Sequence, residues 1–442
     1  MATALTQPLH NAPPSARFAA VRSFTESLCS PLVTEDYVVQ SMPDVSPAKW
    51  HLAHTTWFFE TFILRPHMND YREVNPTYAF LFNSYYVQAG ERHCRAQRGY
   101  ISRPTVAEVF AYRHHVDDAV QQLLARADDE LTARMAPLIE IGMHHEQQHQ
   151  ELMLTDIKHV FSVNPLRPAY HHQEQEQEQE QEQEPARATA AVQPLQWIAF
   201  PGGLNSIGHE GPGFAYDNEM PRHRVFLESF ELADRLVTNG EYLEFMNDGG
   251  YRRPELWLSM GWAAVLENEW SEPFYWEQRD AAWHCFTLHG MRAVDPAEPV
   301  AHLSYFEADA FARWAGARLP TEAEWEIAAA TIRTTGSESD NATGNFADSR
   351  AFHPQPARGA HGLQQMFGDL WEWTQSQYTA YPGYAAPAGA LGEYNGKFMC
   401  NQFVLRGGSC ATSASHIRPT YRNFFPPETT WQFTGVRLAR SS

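Results

Sequence analysis

The chain has 442 residues, of which 43% are hydrophobic and 19% are charged. This composition is typical of globular proteins, and the length predicts two or three domains at roughly 100–200 residues each. A net charge of −20 argues against nucleic-acid binding, which needs a basic surface. No apolar run approaches the ~18 residues of a membrane-spanning helix, and the amino-terminal residues lack the apolar core of a secretory signal. Five scattered cysteines form no disulfide framework, so we expect a cytoplasmic protein that contacts no membrane.

Residues 1–165 have the apolar spacing of helices, with Thr34 and Thr105 as helix starts. Pro47 stands at the first turn of one of them. Four long helices predict an antiparallel four-helix bundle. The stretches with helical spacing are 15–30, 34–42, 48–64, 105–127 and 131–161.

Residues 166–194 include six Gln-Glu pairs, which are repetitive and have nothing apolar to bury. We interpret this segment as a linker without a function of its own. Residues 195–442 differ in character, because short strand-like runs stand among many Gly, Pro, Asn and Trp residues. Helical spacing is clearest at 238–247 and 305–315. The sequence therefore predicts an α+β multidomain protein with a helical bundle before the linker and an α+β domain after it.

The stretch GMHHEQQHQELMLTD carries the clearest chemical signal. His145 and His149 are four residues apart, so on a helix both can reach one metal ion. Gln148 is three residues after His145 and shares its face. A third ligand is expected from a facing helix of the bundle, where His51 and His54 are both candidates. Three histidines would leave open positions on the metal for oxygen or substrate.

The same stretch matches the HExxH pattern of zinc hydrolases, in which Glu146 would be the general base. The extended form of that pattern has a further glycine and histidine, and Leu152 and Thr155 stand in their places. A zinc hydrolase is therefore an alternative from a different enzyme class. A lectin-like binding module joined to a degenerate bundle is a non-catalytic alternative, which the intact histidine pair disfavours.

Several strings across nearly the whole chain resemble the sulfoxide synthases of the ergothioneine pathway. They include KWHLAHTTWFFETF, FNSYY, HHEQQHQE, FAYDNEMPRHRV, RLPTEAEWE, FGDLWEWT, VLRGGSCAT and TYRNFFPP. The resemblance implies a DinB-like four-helix bundle followed by a domain similar to formylglycine-generating enzymes, with a C-type-lectin-like core. It implies a non-haem Fe(II) enzyme that uses O₂ as co-substrate. The implied reaction joins a thiol sulfur to the imidazole ring of hercynine (N-α-trimethylhistidine) and oxidises that sulfur to a sulfoxide.

The resemblance also implies site residues. The iron ligands of the family correspond to His54, His145 and His149, which selects His54 over His51. Tyr85 and Tyr86 in FNSYY correspond to tyrosines that donate a proton to reduced oxygen, and a phenol can do so at neutral pH. Other branches use a tyrosine of the carboxy-terminal domain, so the YPGY segment, with Tyr381 and Tyr384, is held in reserve.

The two small-molecule substrates have separate candidate residues. Gln148 and Asn423 match family positions that hydrogen-bond hercynine, and Phe424 would pack beside its trimethylammonium group by cation–π attraction. Arg92 and Arg95, three residues apart, are candidates to clamp the carboxylate of the thiol substrate.

One departure bears on the thiol. Relatives that use γ-glutamylcysteine carry an Asp and a downstream Arg after the Asn-aromatic pair, whereas Phe425 and Pro426-Pro427 follow here. We therefore expect free cysteine, with γ-glutamylcysteine or a selenosugar as alternatives. Formylglycine generation itself is rejected, because Cys410 has no second cysteine downstream and Cys400 does not make the expected pair. The sequence leaves the oligomeric state open.

Overall fold

The computed structural model describes residues 12–171, 193–335, 344–359 and 361–442. Within these ranges no helix has both the length and the apolar character that crossing a membrane requires. The chain divides into two compact units. One consists of Met1–Val163 with Gly389–Leu391, and the other of Asn164–Ala388 with Gly392–Ser442.

The first unit is helical, and its four long helices lie where the apolar spacing predicts them. Helix α2 packs against α5 and α6, and α1 packs against α6. A π-helical segment, Glu60–Leu64, continues α2. The helices are α1 (Pro14–Cys29), α2 (Ala48–Phe59), α3 (Arg65–His67), α4 (Tyr78–Phe82), α5 (Val106–Arg126) and α6 (Asp129–Val163). Single 3₁₀ segments are Asp36–Val38, Val87–Ala89 and Arg95–Tyr100.

The ends of these helices explain one correct and one wrong prediction. Thr105 begins α5 as predicted, because its hydroxyl accepts a hydrogen bond from the Glu108 N–H while the Glu108 carboxylate accepts one from the Thr105 N–H. Residues 34–42 were expected to be helical but form only the 3₁₀ turn Asp36–Val38. There the Gln40 side chain donates to backbone carbonyls instead, at Val45 and Arg95.

The second unit is an α+β domain of small sheets and short helices. Its sheets have the strand orders β1-β4-β12, β10-β9-β8-β11, β2-β3 and β5-β6-β7. The strands are β1 (Trp197–Phe200), β2 (Gly203–Ile207), β3 (His223–Leu227), β4 (Phe230–Ala233), β5 (Trp276–Arg279), β6 (Ala282–Thr287), β7 (Gly290–Ala293), β8 (Trp371–Gln377), β9 (Phe403–Arg406), β10 (Asn423–Phe425), β11 (Thr434–Gly435) and β12 (Ala439–Ser441). The helices are α7 (Asn239–Asn247), α8 (Ser259–Asn268), α9 (Tyr305–Trp314), α10 (Glu322–Thr335) and α11 (Glu393–Gly396).

Sequence spacing predicts α7 and α9 correctly, and both begin with capping boxes, at Thr238 and Ser304. It misses α8 and α10.

The aromatic motifs of the second unit lie in its core. Trp371 and Trp373 of the WEW string are buried, as is Trp325 of RLPTEAEWE. The indole N–H of Trp325 donates to Glu372 at 2.9 Å, and Glu372 in turn pairs with the buried guanidinium of Arg437 at 2.7 Å. Buried and hydrogen-bonded in this way, the tryptophans of both strings stabilise the fold of the second unit.

The predicted linker, 166–194, is only partly described, and its Gln-Glu pairs and His172 lie outside the described residues. Its beginning differs from the prediction. Tyr170 is buried in the second unit, and the backbone N–H groups of Tyr170 and His171 donate to the carbonyl of Leu288. Tyr170 has an aromatic ring that can be buried, whereas the Gln-Glu pairs have no apolar side chain.

Candidate metal centre

Three histidines meet inside the first unit. His54 comes from α2, and His145 and His149 lie one turn apart on α6. One ring nitrogen from each lies within 4.8 Å of the others, and Nε2 of His54 is 3.1 Å from Nε2 of His145. A metal about 2.1 Å from two nitrogens at a right angle would place those nitrogens about 3 Å apart. The spacing therefore fits a bound metal ion.

A glycine lets the two helices approach closely enough for these side chains to meet. Gly142 is three residues before His145, and a Cβ atom there would lie 2.6 Å from the ring of Phe59 on α2. Since real Cβ atoms do not tolerate such a contact, any other residue would force the ring of Phe59, or the helix that carries it, to move. Gly142 thus helps to set the distance between His54 and the two histidines of α6.

Hydrogen bonds determine which nitrogen each ring presents. Nδ1 of His54 donates to the carbonyl of Phe82 at 2.5 Å, which leaves Nε2 for a metal. Nδ1 of His149 lies 2.8 Å from Nδ1 of His51, so Nε2 is again the nitrogen that remains. Nδ1 of His145 is buried and has no hydrogen-bond partner within the described residues. His51 therefore supports His149, and His54 belongs to the cluster.

The cluster favours neutral imidazoles. Burial lowers the pKa of His145 to about 4. Burial, followed by the neighbouring histidines, holds the pKa of His54 and of His149 well below the usual 6.5. Metal ions bind the neutral ring, so at neutral pH no proton has to be displaced.

Two tryptophans enclose His54. The ring of Trp50 stacks on it with centroids 4.6 Å apart and an interplanar angle of 12°, and Trp57 stacks at 5.6 Å and 17°. Flat stacking on both sides restricts the orientation of the His54 ring. This leaves the His54 nitrogens in a fixed direction before any ligand arrives.

The sequence reasoning missed Arg98. Its guanidinium lies 3.3 Å from the centroid of Trp50, and its side chain is buried although it pairs with no carboxylate in the described ranges. Nη1 donates to the Ser46 hydroxyl at 2.8 Å, and burial, followed by Arg95, lowers the Arg98 pKa to about 9. The available signal was the regular spacing of arginines, which continues from 92 and 95 to 98.

Glu146, the general base of the hydrolase alternative, is committed elsewhere. Its side chain is 0% exposed, and it accepts from Arg113 Nη2 at 2.5 Å, Thr25 Oγ1 at 2.6 Å and Arg22 Nη1 at 2.7 Å. Despite burial, Arg113 and Arg22 lower its pKa to about 2. A carboxylate held by two guanidinium groups is a poor proton acceptor, so the arrangement argues against a zinc hydrolase.

The tyrosines and arginines predicted from FNSYY and the following loop fall into two groups. Tyr86 is buried, with its ring 6.3 Å from that of His145. Tyr85 is half-buried, and its hydroxyl accepts from Arg95 Nη1 at 2.8 Å. Arg92 is exposed, lies 5.8 Å from the Tyr85 ring and donates to the Ser84 carbonyl. Tyr86 therefore lies near the histidine cluster.

Gln148 and His144 are neighbours of the candidate ligands on α6. Gln148 is partly exposed, one residue before His149. His144 lies 3.3 Å from the Glu140 carboxylate. His144 is therefore outside the cluster of His54, His145 and His149.

The remaining predicted residues belong to the second unit. Asn423 and Phe424 lie on β10, and Phe424 stacks on Tyr378 with centroids 4.0 Å apart. The alternative proton donors of the YPGY segment have hydrogen-bond partners in the second unit. The Tyr381 hydroxyl accepts from Arg406 at 3.1 Å, and the Tyr384 hydroxyl donates to Asp217 at 2.9 Å.

Comparison with known proteins identifies the family. The DinB superfamily matches residues 17–153, and the sulfatase-modifying factor enzyme 1-like domain matches residues 181–442. The chain is 33% identical to the hercynine oxygenase of Mycolicibacterium thermoresistibile over 425 residues, covering 90% of this chain and 88% of that protein. It is 31% identical to the hercynine oxygenase of Mycobacterium tuberculosis, covering 90% and 91%. The chain belongs to the hercynine oxygenase family.

Membership of the hercynine oxygenase family makes the protein an oxidoreductase and confirms the predicted pair of domains, DinB-like and formylglycine-generating-enzyme-like. The second unit also has relatives of its own. The formylglycine-generating enzyme of Streptomyces coelicolor is 29% identical over 284 residues, covering 55% of this chain and 89% of that protein. All five cysteines lie in the described ranges and none forms a disulfide there, with Cys410 buried and Cys400 exposed.

Proposed function

We propose that this protein joins the sulfur of cysteine to the imidazole ring of hercynine and oxidises that sulfur to a sulfoxide, using Fe(II) and O₂. The observation that carries the proposal is the convergence of His54, His145 and His149 in a member of the hercynine oxygenase family. Cysteines without disulfides in the described ranges suit a reducing compartment, so we propose that the reaction takes place in the cytoplasm.

The donor set supports iron. Three neutral imidazoles suit several first-row metals and leave positions open for substrates. When bound, Fe(II) would relay electrons from the thiol and the imidazole ring to O₂, which zinc cannot do because it has no redox chemistry. His54, His145 and His149 would hold the ion, and the buried indoles of Trp50 and Trp57 would keep bulk water away from it.

The candidate proton donor is Tyr86, because its ring is near His145 and its surroundings are apolar. Its phenolic O–H would donate to the reduced oxygen as the sulfur is oxidised. Tyr85 is the matched comparison, since its hydroxyl is engaged with Arg95. Arg92 and Arg95 would bind the carboxylate of the thiol substrate from the same loop.

Hercynine would be recognised through hydrogen bonds and an aromatic surface. Gln148 and Asn423 have amide side chains that can bind the imidazole or carboxylate. Phe424, stacked on Tyr378, offers a ring face of the kind that attracts a quaternary ammonium group. Phe425 and Pro426-Pro427 replace the acidic and basic residues that a γ-glutamyl group would require, which favours free cysteine.

The test is anaerobic loading with Fe(II), followed by O₂ uptake with hercynine and cysteine, γ-glutamylcysteine or a selenosugar in parallel. Products are identified by mass spectrometry. We expect a hercynine–cysteine sulfoxide and no comparable product with the other donors. A product with a different donor would correct the thiol assignment alone. Absence of any hercynine-dependent product from iron-loaded protein would refute the proposed reaction.

A further inference from the structure

A buried polar chain leads away from His149. Nδ1 of His149 lies 2.8 Å from Nδ1 of His51, and Nε2 of His51 lies 3.0 Å from Oδ2 of Asp156. The same carboxylate oxygen accepts a hydrogen bond from the backbone N–H of Ser46 at 2.8 Å, just before α2 begins. His51, Asp156 and Ser46 are all buried. Water is therefore kept from these three residues, and their hydrogen bonds are made within the protein.

The chemistry of these groups determines the direction of the hydrogen bonds. A carboxylate only accepts, so Nε2 of His51 must carry the hydrogen. With one hydrogen on each imidazole, Nδ1 of His51 is then an acceptor and Nδ1 of His149 is the donor. The lone pair of His149 is left on Nε2. The chain thus selects the tautomer of His149 that can bind a metal through Nε2.

The three ligand candidates differ in this respect. His54 donates to a backbone carbonyl, which no substitution removes. Nδ1 of His145 has no hydrogen-bond partner in the described part of the chain. His149 is supported by side chains, from His51 on α2 and from Asp156 on its own helix, two turns further along. Its support can therefore be removed by substitution and measured.

We propose that His51 and Asp156 are positioning residues that fix Nε2 of His149 as the coordinating atom and thereby increase the affinity of the site for its metal. The inference rests on the metal centre of the proposed function and extends it beyond the three ligands. A purely structural role is the competing interpretation. In that case the His51–Asp156 pair would tie α6 to the start of α2 and affect folding, without an effect on metal affinity.

The test measures metal affinity without substrates. Anaerobic competition with a chelator gives the Kd for Fe(II) in wild type and in Asp156→Asn, His51→Leu and His51→Gln. Loss of an outer hydrogen-bond partner typically weakens metal binding 10–100-fold. We expect that loss for Asp156→Asn, because its amide can donate to Nε2 of His51 and so reverse the direction of the hydrogen bonds. We expect it also for His51→Leu, which removes the acceptor for Nδ1 of His149. His51→Gln should bind more tightly than His51→Leu, because its amide oxygen can accept from Nδ1 of His149.

Coupling and spectroscopy separate positioning from folding. Once His51→Leu has broken the chain, adding Asp156→Asn should weaken Fe(II) binding little further, which is non-additive behaviour. In Co(II)-loaded protein, the visible absorption of the metal should shift in the same variants. Tyr112→Phe is the matched control, because it removes a buried hydrogen bond to Glu60 in the same unit, at 2.6 Å, and should leave the Kd unchanged.

Each outcome has one meaning. Folded variants of His51 and Asp156 with a Kd within twofold of wild type would overturn the positioning role and leave the proposed function intact. A loss that Tyr112→Phe reproduces would also overturn it, since it would reflect general stability. Wild type that binds neither Fe(II) nor Co(II) would overturn the metal centre and the positioning role together. Circular dichroism of each metal-free variant identifies those that are folded.

Discussion

Glu146→Gln gives the sharpest test of how the HExxH-like stretch is used. The change removes the charge that two buried guanidinium groups share, those of Arg22 and Arg113. A native pKa of about 2, against 4.5 for the ordinary carboxyl, corresponds to about 3 kcal/mol at neutral pH. This agrees with the ~3–5 kcal/mol that breaking a buried ion pair typically costs. We expect a loss of about 3 kcal/mol in unfolding free energy.

The assay is urea unfolding of the full chain, followed by far-ultraviolet circular dichroism. Glu130→Gln is the matched control on the same helix, because Glu130 is exposed and an acidic residue in the first turn of a helix contributes below about 1 kcal/mol. The pH dependence has a defined sign. Since the native pKa of Glu146 is lowered, its contribution is complete above pH 4.5 and is lost as the pH falls toward about 2. The difference between wild type and Glu146→Gln should therefore shrink on acidification.

Two results would refute the reasoning on Glu146. One is an unfolding free energy within about 0.5 kcal/mol of wild type, the scatter of ordinary surface substitutions. The other is a fully stable Glu146→Gln protein that binds its metal normally and has lost turnover. That second result would instead support Glu146 as the general base of the hydrolase alternative.

Three further tests probe the centre. His149→Ala should abolish stoichiometric iron binding, measured by elemental analysis after anaerobic loading, whereas His144→Ala should retain it. Gly142→Ala should lower the unfolding free energy by about 1–3 kcal/mol, as overpacking does, because its methyl group meets Phe59; unchanged urea unfolding would contradict the close helix contact. Tyr86→Phe should reduce the sulfoxide formed per O₂ consumed several-fold at unchanged iron content. An unchanged ratio would exclude its hydroxyl as the proton donor.

The bundle could be predicted from sequence because helical periodicity and capping signals are local. Thr105 with Glu108 marks the start of α5, and the apolar spacing marks its length. Residues 34–42 have similar spacing, but Pro43 leaves no room for a longer helix. Hydrogen bonds from the Gln40 side chain to backbone carbonyls form there instead. Helices α8 and α10 were missed because tertiary packing, with Gly261 and Trp325 in contact with the core, decides their conformation.

The site could be predicted only in part, for a physical reason. His51 and His54 have equivalent spacing, and what separates them is which ring nitrogen meets which partner. Only the resemblance to a family selects His54 in advance. Similarly, the letters HExxH do not reveal that Glu146 points to two arginines that are distant in sequence. Arg98 continues the three-residue spacing of Arg92 and Arg95, but that spacing does not reveal that Arg98 is buried against Trp50.

The stacking of two indoles on His54 gives the protein a built-in optical reporter. Of the 13 tryptophans, eleven lie at position 197 or beyond, so Trp50 and Trp57 are the only ones before residue 164. Both are in ring contact with the same ligand candidate. A paramagnetic ion arriving at His54 would therefore quench the fluorescence of every tryptophan in the bundle at once. Metal loading of the unlabelled protein could then be followed in real time.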